Sequence, residues 1–182
     1  IGKAYIYKQD YSMARRTFEF VIKTYNDNDI KYDAMLWLAQ ANIQMNDFGR
    51  AEPMLDMVQN KINTGKAPEK YEKDLNLIYA NFYIQQKTYP PAEEYLTRAL
   101  EFSLKRPLKT RVLFILAQIH QANGELDEAS KLYASVIKRN PSFDMEFNSK
   151  INMARCYIAN SGNKEYIVKK LVKMLKDEKN KE

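Results

Sequence analysis

Between Leu113 and Pro141 the apolar positions recur with a helical period in two blocks. Leu113, Leu116, Ala117 and His120 fall at i, i+3, i+4 and i+7, one face of a helix. Asn123-Gly124 interrupts the pattern with two residues that tolerate the left-handed conformation ending helices. The period then resumes with Ala129, Leu132, Tyr133 and Val136, and Pro141 closes it. Two short amphipathic helices joined by a tight turn cannot bury their apolar faces alone, so this unit requires neighbours.

The same columns recur along the chain. Aligned on Ala129, the equivalents are Ala14, Ala51 and Ala92, at spacings of 37, 41 and 37 residues. Three positions earlier stand the bulky Tyr11, Phe48, Tyr89 and Leu126, and four positions later Phe18, Leu55, Leu96 and Tyr133. Twelve positions before the alanine come the small Gly2, Ala39, Ala80 and Ala117. Small residues mark where helices approach closely, and large ones fill the gap between them. Asp10, Asp47, Thr88 and Glu125 precede the second helices, where Asp and Thr are expected to cap free N–H groups.

These columns resemble the tetratricopeptide repeat, which marks its first helix with a small residue and a tyrosine, its second with alanine and an aromatic, and its end with proline. The resemblance implies an all-α, right-handed α-solenoid of helix-turn-helix repeats. They are placed at about 1–28 (truncated), 29–68, 69–106, 107–141 and 142–182 (divergent), giving one solenoid of nine or ten helices. The spacings exceed the family period of about 34 residues. Asn26, Asn63 and Leu104 stand where three of the closing prolines would be.

Local signals refine this. Pro53 inside the second helix of the second repeat predicts a late start or a kink. The stretch 63–68, Asn-Thr-Gly-Lys-Ala-Pro, accounts for the 41-residue spacing and reads as a hinge or tip. Pro90-Pro91 fits a first helical turn, and Pro107 separates the third repeat from the fourth. Ala154 and Tyr157 fit a fifth first helix, followed by a second helix lined by Ile167, Val168, Leu171, Val172 and Leu175. The chain opens at Ile1 in mid-repeat, so it reads as a fragment of a longer protein.

Composition narrows the chemistry. The net charge is +6, with the signs interleaved; the most basic stretch, 164–182, reads as a solvated helix face. A single cysteine, Cys156, excludes an internal disulfide and a multi-cysteine zinc site, and its apolar setting predicts a buried, unreactive thiol. The single histidine, His120, occupies the column of Tyr5, Asn42, Tyr83 and Tyr157, so packing explains it. With no glycine-rich phosphate loop and no nucleophile elbow, the expectation is a protein without catalytic residues, cofactor or metal.

In the family that the repeats resemble, first helices line a concave face that holds extended peptides or partner helices. Carried onto this chain, the inward columns are Lys3, Tyr7, Gln40, Gln44, Asn81, Gln85, Gln118, Gln121 and Arg155, with Asp33, Asp74 and Arg111 at the rim. Side-chain amides both donate to and accept from a peptide backbone. The family's two-carboxylate clamp is not reproduced; only Asn81 and Arg111 are of suitable type. Trp37 reads as packing before ligand contact, although tryptophan is a common anchor at interfaces. The implied partners are other proteins, with no nucleic acid expected; the alternative is an RNA-binding helical repeat, for which net charge is the only support.

The C-terminal run from Phe147 to Glu182, with its KIN.ARCY, NSGN and KKL.KMLKDEKNKE marks, is similar to a narrower group. It resembles the helical-repeat region of Bacteroidota outer-membrane lipoproteins associated with gliding motility and type IX secretion. The similarity extends more weakly back through residues 118–141, and together these cover about the C-terminal half. It implies a scaffold on the periplasmic side of the outer membrane, anchored by a lipidated cysteine upstream.

Overall fold

The computed structural model describes residues 1–161 and Lys169. Among the described residues there are nine α-helices and no strand: α1 (Gly2–Tyr7), α2 (Tyr11–Thr24), α3 (Ile30–Gln44), α4 (Phe48–Asn63), α5 (Glu72–Gln85), α6 (Tyr89–Glu101), α7 (Arg106–Ala122), α8 (Leu126–Ile137) and α9 (Phe143–Ser161), with a 3-10 turn at Glu69–Tyr71. No helix among them is long and apolar enough to cross a membrane. The expected second helix of the last repeat and, Lys169 apart, the basic stretch 164–182 lie outside the described residues.

The helices form two compact units, Ile1–Phe102 and a second beginning at Ser103. In the first, each helix packs on its successor, and α1, α3 and α5 also touch one another in turn. First helices therefore line up beside first helices, the arrangement of an α-solenoid. In the second unit α7 packs on α8, α8 on α9, and α9 returns to α7.

The repeated columns explain the packing. Ala14, Ala51, Ala92 and Ala129 are each 0% exposed. Beside them Phe18, Leu55, Leu96 and Tyr133 are buried, as are Ala39, Ala80 and Ala117 of the first helices. Each fully buried aliphatic side chain such as Leu55 or Ile43 contributes roughly 1.5–3 kcal/mol. Gly2 shows why its column is small: a Cβ there would lie 2.6 Å from the Phe18 ring.

Several local expectations change. Helix α4 starts at Phe48 and continues through Pro53, instead of beginning late. The carbonyl left without a helical donor belongs to exposed Gly49, where water can satisfy it. In the 63–68 stretch residues 63–66 are exposed and the end is anchored: Ala67 is buried, Tyr71 tilts against Tyr32, and the Tyr32 hydroxyl donates to the Lys66 carbonyl at 2.9 Å. Pro107 lies in the first turn of α7, so it opens that helix. Of the three expected Asp and Thr caps only Asp10 accepts a helix N–H, from Met13 at 3.1 Å. Asp47 pairs with Arg50 instead, and the Glu125 carboxylate turns back to the His120 ring.

Candidate functional site

On α3, Asp33, Trp37, Gln40 and Gln44 are spaced 4, 3 and 4 residues apart, which puts them on one stripe. Lys3 and Tyr7 occupy the equivalent positions on α1, and Asp74, Ile78, Asn81 and Gln85 on α5. Side-chain contacts join these stripes across the three helices. The Lys3 ammonium pairs with Asp33 at 2.9 Å and lies 4.8 Å above the Trp37 ring. Tyr7 meets Trp37 edge-on, with ring centroids 6.4 Å apart. Asn81 Nδ2 donates to Gln40 Oε1 at 3.2 Å. The first helices of unit 1 thus present one continuous surface.

Its character changes along its length. At the α1–α3 end it is aromatic: Tyr7 is 77% exposed, and Trp37 is half-buried against the core around Phe18 and Leu38. At the α3–α5 end it is amide-rich. Gln40, Gln44 and Asn81 are half-buried and Gln85 is exposed. Lys3 is neutralised by Asp33, and Asp74 has Lys73 at 3.7 Å, so the surface has little net charge.

Behind this surface side chains of α4, α5 and α6 join. Tyr79 and Tyr83 of α5 stack with Tyr95 of α6 in near-parallel planes, the closest centroids being 4.5 Å apart. The Tyr79 hydroxyl donates to Asp56 of α4. Burial, then that hydrogen bond, raises the Tyr79 pKa well above the usual tyrosine value. Burial also raises Tyr83, reinforced by the carboxylates of Glu52, Asp56 and Glu94. Three helices are thereby fixed around the turn of α5 that carries Asn81.

In unit 2 the corresponding residues behave differently. Arg111, Gln118 and Arg155 are exposed, and Arg155 donates to Asn152 of its own helix at 3.4 Å. Gln121 is half-buried and accepts the Tyr133 hydroxyl at 2.7 Å, so its amide is used inside the α7/α8 hairpin. Cys156 packs against Tyr133 and is 1% exposed, with burial pushing its thiol pKa up. His120 is half-buried beside Glu125.

Sequence reasoning placed the amides of α3 and α5 on the surface but favoured packing over ligand contact for Trp37. The helical spacing of Asp33, Trp37, Gln40 and Gln44 was the signal that could have found it.

Two family models, both described as tetratricopeptide repeat, match residues 1–63 and 111–142, together just over half the chain. No curated protein matches the sequence. Among solved structures, MamA protein aligns at a TM-score of 0.68 with 19% identity, covering 96% of this chain and 86% of that one. YrrB, described as a TPR protein with an unusual peptide-binding site, aligns at 0.64 with 17% identity, covering 96% of this chain and 81% of that one. The C-terminal part of a TPR repeat-containing protein from Cytophaga hutchinsonii aligns at 0.51 with 14% identity, covering 96% and 78%. At these identities the likeness is one of fold.

Proposed function

We propose, from the premise that the chain carries tetratricopeptide repeats, that it is a non-catalytic scaffold holding another protein along the first-helix face of unit 1. The observation that carries this reading is the continuous stripe from Tyr7 and Trp37 to Gln40 and Asn81, joined by contacts across α1, α3 and α5. An extended peptide needs amide partners for its backbone and a non-polar anchor for a side chain. The Gln40–Asn81 hydrogen bond uses the Gln40 carbonyl oxygen and one Asn81 N–H, leaving the Gln40 amino group and the Asn81 carbonyl for a ligand. Exposed Tyr7 beside Trp37 supplies the anchor, since Tyr and Trp dominate binding hot spots. The small net charge argues for a ligand held without steep salt dependence, unlike RNA.

The setting of this scaffold is a bacterial envelope assembly of the gliding or type IX secretion kind, on the periplasmic side of the outer membrane. The support is the KIN.ARCY and NSGN resemblance in the C-terminal half.

Site-specific photo-crosslinking in envelope extract tests both parts. A photoreactive residue at Tyr7, Gln44 or Gln85 should capture a discrete protein set, lost when Gln40 and Asn81 are replaced by alanine. Equal capture from Arg16 or Glu52, on second helices, would move binding off this face. Co-purifying RNA would favour the RNA-binding reading.

A further inference from the structure

The α7/α8 hairpin is strongly polarised in charge. No Asp or Glu occurs from Phe102 to Gly124, nor from Ala129 to Phe143. The hairpin's acids, Glu125, Asp127 and Glu128, gather at its turn. Of its cations Lys131 pairs with Glu128 near the turn, and the rest stand towards the open end: Lys105, Arg106, Lys109 and Arg111 in the first turns of α7, and Lys138 and Arg139 after α8. The Arg106 guanidinium donates to the Arg139 carbonyl, Nε at 3.0 Å, so the two groups of cations stand side by side. Lys105, Lys109, Arg111 and Lys138 have no carboxylate partner among the described residues, and Lys105, Arg111 and Lys138 are exposed. The neighbouring start of α9 brings Asp144 and Glu146, but Glu146 is already paired with Lys150 at 2.6 Å.

This arrangement works against the helix. An α-helix N-terminus carries partial positive charge and favours acids, yet the first turn of α7 has none and is flanked by lysine and arginine. Two apolar side chains accompany the cations: Leu108 is 37% exposed and Phe143 is 50% exposed. One face of Phe143 is taken by Phe147, at a centroid distance of 6.1 Å, which disfavours base stacking. Two side chains are too little apolar surface to seat the hairpin in a bilayer.

We propose that the open end of the α7/α8 hairpin is a docking surface for an acidic polypeptide segment bearing an apolar anchor residue. Lys105, Leu108 and Lys109 fall at i, i+3 and i+4, so they share one side of α7. The segment's carboxylates meet Lys105, Lys109 and Lys138, and its apolar side chain covers Leu108 and Phe143. This surface is separate from the first-helix face of unit 1.

Fluorescence anisotropy of the full chain with a labelled peptide alternating glutamate and glycine around one phenylalanine tests the proposal. Binding should weaken with added salt and be lost when glutamine replaces glutamate in the peptide. In the Lys105→Glu, Lys109→Glu, Lys138→Glu triple variant the Kd should rise by about tenfold or more, each reversal turning an attraction into a repulsion. The melting temperature of that variant should be unchanged or higher, because two of the new acids complement the start of α7. A Lys→Gln triple variant, which introduces no repulsion, should show a smaller loss in the same direction. Undiminished affinity in both variants, no binding by the natural chain at low salt, or tighter binding to phosphatidylserine vesicles or RNA than to the peptide would overturn the proposal. Crosslinks from Tyr7 in unit 1 should survive the lysine changes, which keeps the two binding surfaces experimentally distinct.

Discussion

Replacing Ala129 with leucine is the sharpest test of the repeat register. Ala129 is 0% exposed and lies in a cluster with Ala117 and Tyr133, both 0% exposed, and Cys156 at 1%. The alanine pair lets α7 and α8 approach. Leucine would add three carbons where every neighbour is already in contact, so side chains must leave their rotamers or the hairpin must open. Such overpacking costs about 1–3 kcal/mol, outweighing the added apolar surface. For a chain of this size 1 kcal/mol corresponds to roughly 2–4 °C, which gives a fall in Tm of about 2–12 °C. The control is Ala122→Leu, the same chemical change at the exposed end of α7, which should stay within about 0.5 kcal/mol. Far-UV circular dichroism melts and urea titrations of the two variants measure the difference. Equal Tm values in Ala129→Leu and the natural chain would show that the alanine column does not mark the helix contact.

Other residues give independent checks. Burial, then neighbouring Cys156, raises the Tyr133 pKa from 10.0 to about 12. The folded chain therefore holds this proton after the unfolded chain has released it. The resulting stability is complete below pH 10 and lost as pH rises towards about 12, so urea midpoints should fall across that window, and less steeply in Tyr133→Phe. Tyr79→Phe removes the hydrogen bond to Asp56; because Asp56 is exposed and can rehydrate, the loss should be about 0.5–1.5 kcal/mol in urea unfolding. Gly124→Ala should cost about 1 kcal/mol by left-handed strain alone, since its φ is +83° and nothing lies within 4 Å of the added Cβ. A melt that matches the natural chain would refute that assignment.

The hairpin turns show how far a sequence reading reaches. Gln9, Asn46, Lys87 and Gly124 all have positive φ and stand five residues before the column alanines. Only Gly124, and to a lesser degree Asn46, signals this by residue type. At Gln9 and Lys87 the packing of two helices imposes a conformation that the side chain does not favour. The caps make the same point in reverse. Asp47 and Glu125 had the residue types or positions of caps, but nearby Arg50 and His120 took their carboxylates.

The sequence alone determined the all-α repeat and its register, because each helix must bury a stripe of fixed period against a neighbour of the same design. It also determined that the amides of α3 and α5 share a face, since 3.6 residues per turn decides which columns align. The tertiary structure decided which of those side chains remain available. Gln40 and Asn81 meet across two helices, Gln121 turns inward to Tyr133, and Trp37 joins the face through Tyr7 and Lys3. It also decided that the end of the 63–68 stretch is tied to α3, through the Tyr32 hydrogen bond to the Lys66 carbonyl. Such outcomes depend on partners 12 to 41 residues away in sequence, whose distances are fixed only once the hairpins have stacked.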